Sequence, residues 1–136
     1  MEKKEIFDPL RRKNVRLTPE EGVRQNMIIW LNLNLGVPLT LMASEYGFDY
    51  NGCRYRADIV AFDRELRPLL LVECKAPSVT LDRSVIEQVV RYDRVLSVKY
   101  IMITNGKTSY LCRRNRETQG FEFTSDVPAY EEMLKQ

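Results

Sequence analysis

Residues 55–75 read YRADIVAFDRELRPLLLVECK, and the reading of this stretch decides the fold. Two apolar runs, Tyr55–Phe62 and Leu69–Lys75, flank a polar, proline-bearing gap from Asp63 to Pro68. Runs of this length bounded by turn residues predict two strands joined as an antiparallel hairpin. With the turn centred between Glu65 and Leu66, Asp58 falls opposite Glu73, with Cβ atoms about 4.5–5.5 Å apart. Side-chain alternation puts Glu73 and Lys75 on one face and Cys74 on the other. Facing carboxylates repel, yet both stand in otherwise apolar strands. A divalent cation between them would remove that cost.

A hard cation such as Mg²⁺ takes oxygen ligands and is held by one or two carboxylates plus waters and substrate phosphates. It lowers the pKa of a bound water and stabilises the charge of a phosphoryl transition state. Lys75, on the same face, is placed to orient or help deprotonate that water, or to balance charge on the phosphate. The plainer alternative is a set of salt bridges in which Asp58 or Glu73 pairs with Lys75 or Arg56.

Working outward, Leu17-Thr18-Pro19-Glu20-Glu21 reads as a helix start. Thr18 caps, Pro19 takes the first helical position, and Glu21 closes a capping box. Val23, Met27, Ile28, Trp30 and Leu31 follow at helical spacing, and Gly36 and Pro38 end the helix. A first strand is expected over 39–46, then a break at Gly47 and a turn at Asn51-Gly52. Beyond Lys75, Asp82 caps a helix to about Val98, with Val85, Ile86, Val89, Tyr92 and Leu96 as its apolar stripe. Tyr100–Thr104 is a fully apolar strand of a sheet interior. Asn105-Gly106 turns the chain into a strand over Ser109–Arg113. Phe121–Thr124 reads as an edge strand and 129–134 as a closing helix. The order is α-β-β-β-α-β-β, an α/β fold with a mixed sheet flanked by helices.

The chain has 136 residues, 44% hydrophobic and 29% charged. These values predict one globular domain over 1–136, with 1–16 as a charged, partly mobile extension and 17–113 as the core. No apolar run is long enough for a bilayer span, and no apolar h-region follows the first residues, so a cytoplasmic, non-membrane protein is expected. There is no histidine, which excludes Ser-His-Asp machinery and histidine-based zinc sites. Neither GxGxxG nor GxxxxGK[ST] occurs, so no dinucleotide fingerprint or ATP motor is encoded here. Cys53, Cys74 and Cys112 form no CxxC pair and read as reduced thiols. The net charge of +2 is compatible with nucleic acid and is weak evidence for it.

The arrangement Asp58…Glu73-Cys74-Lys75 resembles the signature of the PD-(D/E)XK nuclease superfamily. More narrowly, TPEEGVRQ, YRADIVAF, LLLVECKAP, the Gln88-x-x-x-Tyr92 pair and ITNG resemble the N-terminal nuclease domain of type I restriction enzyme R subunits. They occur in that order from Thr18 to Gly106. The resemblance implies a restriction-endonuclease-like αβββαβ core and Mg²⁺-dependent hydrolysis of DNA phosphodiesters, with Mn²⁺ able to substitute. It further implies that Asp58, Glu73 and the backbone carbonyl of Cys74 are metal ligands, that Lys75 is the catalytic lysine, and that Glu21 is a helix-borne acid supporting the metal. Gln88 and Tyr92 then line the site, and Arg24, Gln25 and Asn105 are candidates for substrate contact. Ala57 stands where the superfamily name has proline, and the translocase motor of the large R subunits has no counterpart.

Each supporting residue has a plainer reading. Glu21 closes its capping box, Gln88 is a buried glutamine bonded to backbone, Arg24 and Gln25 face solvent, and Asn105 shapes its turn. The basic runs at 11–16 and 113–116 either track a DNA backbone or are solvated faces. Tyr55, Tyr92 and Tyr110 either stack on bases or pack in the core. The chain therefore reads as a Mg²⁺-dependent DNA endonuclease. The alternative is a catalytically idle module on the same fold that binds DNA or a protein partner. One centre cuts one strand, so double-strand cutting implies a homodimer, and any motor or specificity function implies a separate protein.

Overall fold

The first helix starts and stops where local chemistry dictates. Thr18 accepts a hydrogen bond from the Glu21 N–H at 3.1 Å and Pro19 occupies the first turn of α1 (Pro19–Leu35). Gly36 ends it with φ of 77°, a left-handed conformation that costs a residue without Cβ nothing. The structure is a computed structural model and describes residues 4–91 and 97–135. The capping box is only half formed. The Thr18 N–H bonds to the Arg16 carbonyl, and the Glu21 carboxylate is used elsewhere.

Residues 4–16, expected as a loose extension, contain β1 (Glu5–Asp8) and β2 (Lys13–Arg16), an antiparallel hairpin apart from the main sheet. Its turn is built on Asp8, whose carboxylate accepts from the Leu10 and Arg11 N–H groups and is fully buried.

The main sheet runs in the order β3 (Met42–Tyr50), β4 (Cys53–Phe62), β5 (Pro68–Cys74), β6 (Tyr100–Thr104), β7 (Ser109–Arg114) and β8 (Phe121–Thr124). Every neighbouring pair is antiparallel except β5 and β6, which are parallel. That one parallel pair requires a crossover, and α2 (Arg83–Val90) lies within it. A last helix, α3 (Tyr130–Lys135), closes the described chain. This is the α/β architecture with a mixed sheet and flanking helices that the sequence predicts. No described helix is long and apolar enough to cross a membrane.

Alternation sorts the strand residues into two cores. Leu70, Val72, Cys74, Tyr100 and Met102 pack with Ile28 and Leu31 of α1 and with Tyr130 and Met133 of α3. Leu71, Ile101 and Ile103 pack with Val89 of α2 on the opposite face. Buried on both sides, Leu69–Val72 of β5 and Tyr100–Ile103 of β6 are continuously apolar, as parallel interior strands require.

Three boundaries differ from expectation. Residues 39–41 form a 3₁₀ turn after Pro38, so β3 begins later, at Met42. Gly47 does not break it, since it pairs with Arg56 and the Arg54 guanidinium lies where a Cβ would stand. The strand continues to the predicted turn at Asn51 and Gly52, both at positive φ. On the other side, α2 starts at its Asp82 cap but ends at Val90. Val98 is buried beside the start of β6 rather than helical, and residues 92–96 lie outside the described chain.

Candidate metal and phosphodiester site

The β4–β5 register is the one the hairpin predicts: Ile59 faces Val72, Val60 faces Leu71 and Ala61 faces Leu70. One further step brings Asp58 beside Glu73. There the ladder gives way to side-chain bonds. Asp58 Oδ2 accepts from the Cys74 N–H at 2.7 Å, and the Asp58 N–H donates to Glu73 Oε1 at 3.3 Å. Glu73 shares parity with Leu71 on the α2 face, while Cys74 packs toward α1. Lys75 follows as the first residue beyond β5, its N–H bonded to the Thr104 carbonyl at 2.8 Å.

The electrostatics are those of two acids crowded out of water. Burial, then the neighbouring charge of Asp58, pushes Glu73 up to about 8, against the pull of Lys75. Burial also raises Asp58, opposed by the Cys74 N–H and by the charges of Arg24 and Lys75. The Cys74 thiol is pushed up by burial and by both carboxylates, so it is a packing group rather than a nucleophile.

A second cluster abuts the first. Arg24, 6% exposed, donates from Nη2 to Asp58 Oδ1 at 3.0 Å and from Nη1 to Glu45 Oε1 at 3.3 Å, with Glu21 Oε1 at 3.5 Å. Arg11 Nη2 donates to the same Glu21 oxygen at 2.6 Å, and its Nη1 lies 3.4 Å from Glu45. Its Nε reaches Asp8. A chain of alternating charges, Asp8–Arg11–Glu21–Arg24–Asp58, thus runs from the N-terminal hairpin to the paired carboxylates.

This geometry sorts the residues singled out from the sequence. Asp58, Glu73 and Lys75 come together where the middle of β4 meets the end of β5. Neither Lys75 nor Arg56 forms the salt bridge to Asp58 weighed above; Arg24 does. Glu21 reaches the pair only through Arg24, and Gln25 is buried, donating to Glu21 Oε2 at 3.2 Å. The solvent-facing reading of Arg24 and Gln25 is therefore corrected by their burial. Gln88 is exposed on α2 rather than buried, and no hydrogen bond among the described residues joins it to either acid. Tyr92 lies outside the described residues. Asn105 turns inward, its Nδ2 donating to the Val79 carbonyl at 2.9 Å and its Oδ1 accepting from the Lys107 and Thr108 N–H groups.

The basic runs also part company, since Arg11 is spent in the buried chain. Arg113, Arg114 and Arg116 instead join Lys99 and Lys135 around a cavity of about 660 Å³. Lys99 and Tyr100 there lead into β6 at its far end from Thr104. Sequence reading missed Glu20 and Glu45, and placed Arg11 in a basic run rather than in the chain of charges. Glu20 feels the charges of Asp58, Arg24 and Lys75, and its i,i+4 relation to Arg24 was the available signal. Glu45, at φ of 52°, carried none.

Among the described residues no group of three or more His, Cys, Asp or Glu side chains is gathered for a metal. The two carboxylates form an oxygen-only donor pair. That fits a hard cation that completes its shell with water and phosphate, and not a soft or caged one.

The family model described as type I restriction enzyme R protein N terminus (HSDR_N) matches residues 19–128. The chain belongs to this family. Its matched span covers α1, the whole main sheet and α2, hence every residue of the paired-acid site. Among solved structures, a candidate HsdR subunit fragment of a type I restriction enzyme from Vibrio vulnificus is 22% identical, with a TM-score of 0.49 over 69% of this chain. The chain covers 20% of that one. A candidate nuclease belonging to DUF820 from Anabaena variabilis is 11% identical, with a TM-score of 0.53 over 97% of this chain and 84% of that one. This likeness shows a shared nuclease-like fold. No curated protein gives a significant match.

Proposed function

We propose that this R-protein N-terminal domain is a Mg²⁺-dependent DNA endonuclease, with Mn²⁺ able to substitute. The reading is carried by one observation: Asp58, midway along β4, and Glu73, near the end of β5, are clasped side by side, and Lys75 follows immediately beyond β5. Asp58, Glu73 and the Cys74 carbonyl would hold the cation. When bound, the cation supplies an acidified water and shields charge on the phosphate. Lys75 stands beside both acids, where its ammonium orients the attacking water or balances a non-bridging phosphate oxygen. The water oxygen bonds to phosphorus as one P–O ester bond breaks, leaving a phosphate end and a hydroxyl end. Cutting both strands takes two copies of the site, which a homodimer would bring, and translocation would fall to a separate protein.

A second reading is favoured by the Arg24–Asp58 ion pair at 3.0 Å. An acid already neutralised suits a domain that binds DNA or a partner without turnover. Nicking of supercoiled DNA with Mg²⁺ separates the two. Asp58→Ala and Lys75→Ala are expected to lose activity by at least about 10²-fold. Equal nicking by wild type and both variants would overturn the nuclease reading, and salt-sensitive DNA binding with no turnover in any of them would establish the second.

A further inference from the structure

We propose that Arg24 is the resident counter-ion of Asp58, a positioning residue that must release Oδ1 before a divalent cation can be held there, and that Glu45 draws it away. The inference rests on the cation reading above and adds the control of that same carboxylate pair.

The two oxygens of Asp58 have different fates. Oδ2 is fixed by the Cys74 N–H at 2.7 Å, which sets the orientation of the carboxylate. Oδ1 is the oxygen left to face a cation, and Arg24 Nη2 covers it at 3.0 Å. A guanidinium keeps its charge at any working pH, so it can yield this place only by moving. It has somewhere to go. Nη1 already reaches Glu45 at 3.3 Å and Glu21 at 3.5 Å, while Nε is buried without a hydrogen-bond partner. The group is thus under-satisfied where it stands and shared among three acids. A small swing toward Glu45 exchanges one carboxylate for another without leaving the charge unpaired. Glu45 is the partner with room to follow, its side chain 38% exposed where those of Glu21 and Asp58 are 9% and 12%.

A merely structural Arg24 and a displaceable one predict opposite results. Loss of a structural arginine leaves Asp58 without its cation and Glu21 and Glu45 with Arg11, which loosens the site and weakens cation binding. Loss of a competitor strengthens it. The test is calorimetric titration of Mn²⁺ alone into the full chain, for wild type, Arg24→Gln, Glu45→Gln and Glu73→Gln, each checked for folding by circular dichroism. Arg24→Gln is expected to bind Mn²⁺ about tenfold tighter, since a like charge within a few ångströms is removed. Glu45→Gln, which leaves Arg24 more firmly on Asp58, is expected to bind several-fold weaker. The weakening should persist at high salt, where a loss of distant surface charge is screened.

Equal or weaker binding by folded Arg24→Gln overturns the proposal. So does unchanged or tighter binding by Glu45→Gln, which decides the matter alone if Arg24→Gln does not fold. Glu73→Gln separates the two levels. If it leaves Mn²⁺ affinity untouched, the cation reading falls and takes this inference with it. If it abolishes binding while Arg24→Gln brings no gain, only the counter-ion role is lost.

Discussion

At the scale of single residues, Glu73 carries the sharpest physical consequence. Its folded-state value is raised from 4.5 to about 8 by burial and by Asp58. A carboxyl raised in this way contributes its stability at low pH, where both folded and unfolded chains hold the proton. That contribution is lost as pH climbs from the unfolded value through about 8. Glu73→Gln should therefore match the wild type near pH 4 and gain on it steadily up to about pH 8, by at most about 1.4 kcal/mol per pH unit. Urea unfolding across that range in the presence of a chelator checks this, and a gap that does not vary with pH would refute it. Paired acids thus cost the fold stability at neutral pH, a cost easier to understand at a site with work to do than in a packing core.

At the scale of elements, local signals were legible wherever one short motif sufficed. The Thr18 and Asp82 caps, the Gly36 stop and the Asn51-Gly52 hairpin turn all rest on short-range geometry within five positions along the chain. Thr18→Ala should cost about 1 kcal/mol in thermal unfolding through loss of the cap. What failed needed a distant partner. Gly47 reads as a break until Arg54 from the next strand is seen to fill the space beside it. Asn105 reads as a turn residue, and it is one, but its amide also bonds the Val79 carbonyl in the segment after Lys75. Asn105→Ala should therefore destabilise the chain by about 1–3 kcal/mol. It should also speed hydrogen exchange across Ala76–Val79, and an unaltered exchange rate there would remove the bracing role.

At the scale of the whole molecule, the N-terminal hairpin is tied to the sheet by charge. Asp8 is buried, and burial alone would raise its pKa, but the Arg11 guanidinium and the Leu10 and Arg11 N–H groups hold it below the usual carboxylate range. Removing Arg11 leaves both Asp8 and Glu21 without their shared cation. Arg11→Ala is expected to cost about 3 kcal/mol, the order seen when one member of a buried pair is deleted. A chain that unfolds at the same urea concentration as wild type would show the hairpin to be decorative.

The sequence by itself determined the β4–β5 hairpin, its register, and hence the meeting of Asp58, Glu73 and Lys75. Strand alternation and a turn of countable length need no knowledge of the rest of the chain. Tertiary structure alone decided which cation answers Asp58. Arg24 arrives from a helix and Glu45 from a neighbouring strand, with Arg11 coming from a hairpin that the sequence predicts as a partly mobile extension. Contacts between residues so far apart in the chain leave no periodicity, because they are fixed by how α1 lies on the sheet and not by the spacing of side chains along any one element.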